Sequence, residues 1–266
     1  MIQINNKDIV KKFGVYFIAK CNNKTYFCKK VDRNLKYNEF IAEEIASDYG
    51  IKHAHYEMGD LNGVDYIMSE AVYDDNNEIL ITLEQLEKEY PDDSMECNLI
   101  DIWYFFEKHF SKHVTKLMDQ LIEIFLFDVL IGNSDRHLGN ICLIINKKNG
   151  DVNIAPIFDN EIICESLAIY KGYYKMAIDK EEYNTNILYE FLSISDDNYI
   201  NYLESKLDII CSENLDIIFD RLLEKNIVVP TITKNIIKSG MSTNRRMILS
   251  VIKSVKEQHR LKLKYS

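Results

Sequence analysis

The 266-residue sequence predicts an α+β fold made of two lobes. Residues 1–72 contain short apolar runs with turn signals around one helix, which is typical of a small mixed lobe with an antiparallel sheet. Residues 73–266 show apolar residues mostly at helical spacing, which indicates a larger and mainly helical lobe. A hydrophobic content of 47% is sufficient for the core that such a chain requires.

In the first lobe, strands are predicted where short apolar runs are bounded by turn residues, at 14–20, 25–30, 54–57 and 64–68. A helix is predicted at 38–49, because Phe40, Ile41 and Ile45 share one stripe and Gly50 can end the helix. The order is strand, strand, helix, strand, strand.

In the second lobe, residues 73–98 are acidic and are predicted to form a connector or a surface helix. Residues 112–130 predict a helix that Gly132 caps, with a C-terminal half so apolar that we expect it to be buried. After residue 185 nearly every segment predicts helix, with a break expected at Ser-Thr-Asn, 242–244.

A loop with two polar side chains follows the buried helix. Asp135 and Asn140 lie five positions apart, and Asp159 follows after a hairpin predicted from two apolar runs around an Asn-Gly turn. Strands of matched length return the chain beside its start, so the oxygens of Asn140 and Asp159 should face one volume and suit Mg²⁺. In phosphotransferases of the protein kinase type, the loop Asp positions the acceptor hydroxyl and the other two residues hold Mg²⁺. The spacing therefore predicts a phosphotransferase with Asp135 as the catalytic residue.

Composition and charge limit the functional classes to which the protein can belong. A net charge of −10 and a pI near 5.2 argue against direct nucleic-acid binding as the main function. The six scattered cysteines predict free thiols and not disulfides or zinc ligands. Neither a signal peptide nor a membrane-spanning run is recognisable, so the sequence predicts a cytoplasmic protein and leaves secretion by a non-classical route open.

The sequence Asn-Ser-Asp-Arg-His-Leu-Gly-Asn at 133–140, followed by Ala-Pro-Ile-Phe-Asp at 155–159, resembles the HipA-like serine/threonine kinases, including their short secreted bacterial members. The Asp-Arg-His-x-x-Asn core is also similar to that of phosphatidylinositol 3- and 4-kinases. The resemblance covers about residues 25–165 and implies a bilobal protein-kinase-like fold that uses ATP and Mg²⁺.

The resemblance also implies the residues that bind the nucleotide. Lys29 matches the strand lysine that contacts the phosphates, and Glu39 matches the helix glutamate that holds it. Lys30 is a rival, because strand alternation places only one of the two lysines in a cleft. Glu70 and Val72 follow the last strand, where an interlobe hinge would offer backbone groups to adenine. His137 would brace the loop or the metal-site aspartate beside the cofactor.

One feature departs from the kinase pattern. The sequence contains no glycine-rich phosphate loop, and Gly14 is the only glycine before residue 50. The glycine that follows the metal aspartate in many kinases is replaced by Asn160. The phosphate clamp is therefore unassigned.

The sequence thus predicts a serine/threonine protein kinase that transfers the γ-phosphate of Mg-ATP to a protein hydroxyl, including its own. One alternative is a kinase of the same fold that acts on a lipid or small molecule. Another is a nucleotide-binding pseudokinase that serves as a partner-binding module. The resemblance implies protein substrates and, in many relatives, an antitoxin partner protein.

Overall fold

The structure is a computed structural model that describes residues 1–14, 16–31, 37–133, 135–160, 162–164, 189, 192–193, 195–208 and 212–265.

A six-stranded sheet forms the N-terminal part of the protein. The strand order is β1-β5-β6-β4-β3-β2, and all neighbours are antiparallel except the β1/β5 pair. The strands are β1 (Ile2–Gln3), β2 (Ile9–Phe13), β3 (Tyr16–Cys21), β4 (Lys24–Lys30), β5 (Tyr56–Leu61) and β6 (Val64–Glu70). The four predicted strands are present, although β5 begins two residues later than expected, and β1 and β2 were not predicted.

One helix, α1 (Asn38–Tyr49), lies between β4 and β5. Its residues Phe40, Ile41 and Ile45 are buried in the main core, and Gly50 ends it with a left-handed φ of 78°. The helix has the predicted bounds. Arg221 donates two hydrogen bonds to the Asp48 carboxylate, with Nη1–Oδ1 at 3.0 Å and Nη2–Oδ2 at 2.8 Å. These bonds connect α1 to the C-terminal helices.

A second, three-stranded sheet joins distant segments in the order β7-β8-β9. Its strands are β7 (Glu78–Thr82), β8 (Cys142–Asn146) and β9 (Val152–Ile154), and both pairs are antiparallel. The predicted hairpin is therefore confirmed. The expectation of a mere connector or surface helix at 73–98 was incomplete, because β7 pairs with β8 there before the short helix α2 (Leu83–Glu89) begins.

The other α-helices within the described residues are α2 (Leu83–Glu89), α3 (Leu99–His109), α4 (Val114–Ile131), α5 (Asp197–Asp208), α6 (Ser212–Glu224) and α7 (Thr231–Tyr265). The C-terminal half of α4 is buried, and Gly132 caps it with a φ of 65°. The expected break at 242–244 is wrong, since α7 continues through it. The reason is tertiary: Asn244 is buried and its side-chain amide donates to the Leu130 carbonyl at 3.3 Å.

The α+β class, with a sheet-rich first part and a mainly helical second part, is confirmed. The expected boundary near residue 72 falls between the end of β6 and the start of β7, and the division into two domains stays a prediction. The cysteines that the structure describes (Cys21, Cys28, Cys97, Cys142 and Cys164) are free thiols, as predicted, while Cys211 lies outside the described residues. Within the described ranges, no helix is long and apolar enough to cross a bilayer.

Candidate active site

A cleft of roughly 990 Å³, including its open mouth, lies between the six-stranded sheet and the segments around the second sheet. The sheet contributes residues from β3, β4 and β6, and the opposite wall contains Asn140, Phe158 and Asp159. The predicted residues that line it are Lys29, Glu39, Glu70, Val72, Asn140 and Asp159. The fold therefore brings most of the predicted site residues to one cavity.

A buried ion pair holds the loop that follows α4. The Arg136 guanidinium contacts both carboxylate oxygens of Asp128, with Nε–Oδ2 at 2.8 Å and Nη2–Oδ1 at 2.9 Å. Both side chains are almost fully buried, at 3% and 2% exposure. Asn133 also donates to Asp128 Oδ1, at 3.0 Å. A doubly hydrogen-bonded guanidinium has little orientational freedom, so the last turn of α4 fixes the start of the loop.

The same guanidinium joins the two segments that carry the candidate metal ligands. Arg136 Nη1 donates to the carbonyl oxygens of Asn140, at 3.3 Å, and Phe158, at 3.0 Å. Nη2 also donates to Asn160 Oδ1, at 2.7 Å. Asn140 and Asp159 are therefore held in register by one buried cation, although they are nineteen positions apart.

Asp135 lies in the loop between these contacts. Its backbone N–H donates to Asn133 Oδ1, and its carbonyl accepts from the Asn140 side chain at 3.3 Å. Among the residues that the structure describes, none donates a hydrogen bond to the Asp135 carboxylate. The side chain is partly exposed. The loop thus fixes the Asp135 backbone while its carboxylate can accept a hydrogen bond from a further group.

Asp159 follows the hairpin in an unusual backbone conformation, with a φ of +56°. Its N–H donates to the Tyr56 hydroxyl at 3.0 Å, and its carboxylate contacts Lys29 Nζ at 3.1 Å. Left-handed backbone is strained for most residues other than glycine, and such strain is concentrated at functional sites. The Tyr56 hydrogen bond helps to hold the backbone in place.

Strand register decides between the two lysines. Tyr26 and Cys28 of β4 are buried in the small core under the sheet, whereas Phe27 and Lys29 line the cleft. Lys30 is exposed and is absent from the cleft wall. Lys29 therefore faces the cavity.

Glu39 is almost fully buried in the first turn of α1. It accepts the Asn160 N–H at 2.8 Å and the Tyr56 hydroxyl. Burial raises the pKa of Glu39 to about 7, with a further rise from the Asp159 carboxylate, while the hydrogen bonds and Lys29 act in the opposite direction. Glu39 thus supports the backbone beyond Asp159 and lies within electrostatic reach of Lys29.

The predicted hinge runs along one end of the cleft. The Glu70 N–H donates to the His55 carbonyl and the Ala71 N–H to the Thr25 carbonyl, at 2.9 and 2.8 Å. The Glu70 carboxylate contacts Lys24 at 2.7 Å. The Val72 N–H makes no hydrogen bond within the described part of the chain, so this amide can donate to a ligand in the cleft.

Two aromatic side chains form part of the sheet wall. The rings of Tyr16 and Phe27 are stacked, with centroids 5.6 Å apart and planes 20° apart. Both line the cleft and remain partly exposed there, at 36% and 45%. Tyr16 is the cross-strand partner of Lys29. A flat apolar surface therefore adjoins the cationic group.

His137 lies outside the cleft wall. Its ring Nδ1 accepts the Gly139 N–H at 3.1 Å and so caps the 3-10 turn Leu138–Asn140. This hydrogen bond supports the backbone of the loop. The contact with a cofactor stays a prediction.

The sequence analysis missed the aromatic wall residues Tyr16 and Phe27 and three residues that hold the loop and the segment after the hairpin, namely Asp128, Tyr56 and Asn160. A signal existed for Asp128, since it is the one charged residue in an otherwise apolar stretch of α4. A lone carboxylate in a buried helix requires a partner, because an unpaired buried charge is costly. Tyr56 and Asn160 gave no comparable signal.

The donor set fits magnesium. The Asn140 amide oxygen and the Asp159 carboxylate are hard oxygen ligands, and Mg²⁺ usually takes one or two such protein ligands together with phosphates and water. Among the described residues, no group of three or more His, Cys, Asp or Glu side chains forms a cage for a metal. The arrangement thus suits an ion that arrives with a phosphorylated ligand.

The HipA-like C-terminal domain model matches residues 3–221, which is most of the sequence. The chain belongs to the HipA-like C-terminal domain family. Its fold is similar to that of the proinflammatory kinase CtkA from Helicobacter pylori, with a TM-score of 0.68 and 18% identity over 97% of this chain and 99% of CtkA. It is also similar to HipA from Shewanella oneidensis MR-1, solved with HipB and operator DNA, with a TM-score of 0.52 and 13% identity over 95% of this chain and 67% of HipA. No curated protein sequence matches this HipA-like chain. The predicted family resemblance and the kinase-like fold are confirmed.

Proposed function

We propose that this HipA-like protein transfers the γ-phosphate of Mg-ATP to a serine or threonine hydroxyl of a protein. The observation that carries the proposal is that Lys29, Asn140 and Asp159 line one cleft, with Asp135 in the loop that ends at Asn140. A cation, two oxygen ligands and an uncommitted carboxylate are the groups that phosphoryl transfer requires.

Each residue has a role in this proposal. Asn140 and Asp159 would hold Mg²⁺, which supplies charge neutralisation and orientation of the phosphates. The Lys29 ammonium neutralises charge on the phosphates, and Glu39 and Tyr56 keep the neighbouring backbone in place. The Asp135 carboxylate accepts the hydrogen bond of the acceptor hydroxyl and orients its oxygen toward the phosphorus. Positioning and electrostatic stabilisation supply most of the rate in such reactions.

The other end of the cleft suits adenine. The Val72 N–H is available as a donor, and Glu70 and Val72, which border the cavity, would form the hinge that contacts the base. The Phe27 ring offers an apolar face for the base, since aromatic rings stack on nucleobases. Tyr16, opposite Lys29 across the strand pair, lies toward the phosphate end. These aromatic side chains supply a wall where many kinases use a glycine-rich loop.

A protein acceptor is favoured over a lipid. The net charge of −10 opposes docking to an anionic membrane surface. CtkA is described as a proinflammatory kinase, and the Shewanella HipA belongs to a toxin–antitoxin system with HipB. We extend the proposal to a protein substrate and to an antitoxin-like partner protein on this basis.

The test is transfer from γ-labelled ATP with Mg²⁺ to the protein itself and to a generic serine- and threonine-containing substrate, followed by phosphoamino acid analysis. We expect Mg²⁺-dependent label on serine or threonine, and none with the Asp135→Ala variant. Label that appears only on a lipid or a small molecule would change the acceptor class. A folded protein that binds Mg-ATP yet labels no acceptor would support the pseudokinase alternative.

A further inference from the structure

Helix α3 exposes an aromatic face outside the cleft. Its residues Leu99, Ile102, Phe105 and Phe106 are buried, whereas Ile100, Trp103 and Tyr104 on the opposite side are 41%, 36% and 59% exposed. The rings of Trp103 and Tyr104 lie 4.8 Å apart. Contiguous apolar side chains of this size on a surface are typical of protein interaction sites.

Five acidic residues flank this face in the sequence, namely Asp92, Asp93, Glu96, Asp101 and Glu107. Asp93 contacts Lys108 and His109, whereas none of the other four takes part in an ion pair within the described part of the chain. Four carboxylates next to the exposed rings in the sequence therefore have no cationic partner among the described residues.

A recess adjoins the aromatic face. It is lined by Asp92, Asp93, Ser94, Asp101, Tyr104, Phe105 and Lys108 and shares no residue with the wall of the catalytic cleft. The Lys108 ammonium lies against Asp93 at 2.5 Å, so the recess already accepts one cationic side chain. An acidic and aromatic wall suits arginine and lysine, which bind both carboxylates and the faces of tryptophan and tyrosine.

We propose that this α3 surface, defined as Asp92, Ile100, Trp103, Tyr104 and Glu107, binds a segment of a partner protein that presents arginine or lysine beside apolar side chains. The cationic groups pair with Asp92 and Glu107 and lie over the aromatic rings. The apolar side chains cover Ile100. This inference is independent of phosphoryl transfer, since it requires neither ATP nor the catalytic loop.

The chain provides its own reporter, because Trp103 is its only tryptophan. The probe is a short synthetic peptide that alternates arginine with leucine and contains no tryptophan, titrated into the whole protein without nucleotide. We expect a saturable change in Trp103 emission that weakens with salt. A peptide of alternating glutamate and leucine should produce no change.

Two double variants with the same change of net charge test whether the basic peptide binds at the α3 surface. Asp92→Asn with Glu107→Gln should raise the Kd of the basic peptide roughly tenfold, through loss of two exposed charge contacts. Asp220→Asn with Glu257→Gln neutralises two exposed carboxylates on α6 and α7 and should leave the Kd unchanged. Equal weakening by both would mean that the peptide senses only net charge and would overturn the proposal.

Two further results bear on the occupant. The double variant Ile100→Ser with Tyr104→Ser should also weaken binding of the basic peptide. An unchanged Kd would show that the apolar side chains take no part in binding and would overturn the proposal. Sedimentation of the protein alone should show a monomer under the titration conditions. A dimer whose formation shifts Trp103 emission would assign the surface to a second copy and overturn the proposed partner.

Discussion

Lys29 Nζ and Asp159 Oδ1 lie 3.1 Å apart, so the strand lysine and the carboxylate after the hairpin contact each other across the cleft. Both side chains are partly exposed, at 23% and 32%. The contact therefore places a cation and a carboxylate side by side on the cleft wall, where a phosphate and a metal ion bound there would lie next to groups of opposite charge.

The first prediction concerns the two neighbouring lysines. Lys29→Met removes the cation that faces the cleft, and we expect kinase activity to fall by orders of magnitude. Lys30→Met removes an exposed charge on the opposite side of β4 and should change activity little, in line with about 0 to 1 kcal/mol for a solvated charge. Labelled-ATP assays on both variants provide the check. An inactive Lys30→Met enzyme would show that Lys30, and not Lys29, acts in the cleft, which would contradict the register of β4.

A second prediction concerns the buried pair below the loop. Asp128→Ala leaves the Arg136 guanidinium buried without its carboxylate, which should lower the free energy of unfolding by about 3 to 5 kcal/mol. The control is Asp216→Ala, which breaks an exposed pair with Lys238 and should cost about 0 to 1 kcal/mol. Urea denaturation measures both. A similar small loss in the two variants would show that Arg136 does not depend on Asp128.

The third prediction concerns the pH dependence of stability. The fold raises the pKa of Glu39 from 4.5 to about 7, so the folded protein binds more protons than the unfolded chain between these values. The contribution of Glu39 to stability is present below about pH 4.5 and is lost as the pH rises to about 7. Glu39→Gln removes this titration. The difference in unfolding free energy between variant and wild type should therefore change across this window, and parallel pH profiles would contradict the assignment.

The fourth prediction concerns which part of ATP, the base or the phosphates, contacts Phe27. Phe27→Ala removes the apolar ring from the cleft wall and should weaken ATP binding by about 1 to 3 kcal/mol, the usual value of base stacking on an aromatic side chain. Inorganic tripolyphosphate with Mg²⁺ lacks a base and should bind both proteins equally. Calorimetry on the two ligands compares them, and equal weakening for both would place Phe27 against the phosphates.

The loop and α1 could be predicted from the sequence because their signals are local. Gly50 and Gly132 mark helix ends through the left-handed conformation that each adopts. The Asn-Gly turn predicts the hairpin, and the hairpin brings Asp159 back to the cleft that Asn140 lines. Spacing along the chain was therefore sufficient to group these side chains.

The features that were missed depend on distant partners. Strand β7 lies in an acidic segment and exists through its pairing with β8, more than sixty positions later. The polar stretch around Asn244 favours a helix break locally, yet its amide satisfies the Leu130 carbonyl and the helix continues. Tertiary contacts override propensity in such places. Likewise, only the folded arrangement shows that Arg136 binds Asp128 and both segments that carry the candidate metal ligands.

The most direct measurement compares nucleotide binding with phosphoryl transfer in Asp135→Ala, Asn140→Ala and Asp159→Ala. Asn140 and Asp159 line the cleft and are the proposed metal ligands, so their removal should weaken Mg-ATP binding in calorimetry. Asp135 is proposed to orient the acceptor hydroxyl and not the metal, so Asp135→Ala should bind Mg-ATP nearly as the wild type does and lose transfer by orders of magnitude. An equal loss of binding in all three variants, or transfer that survives in Asp135→Ala, would contradict the assigned division of roles.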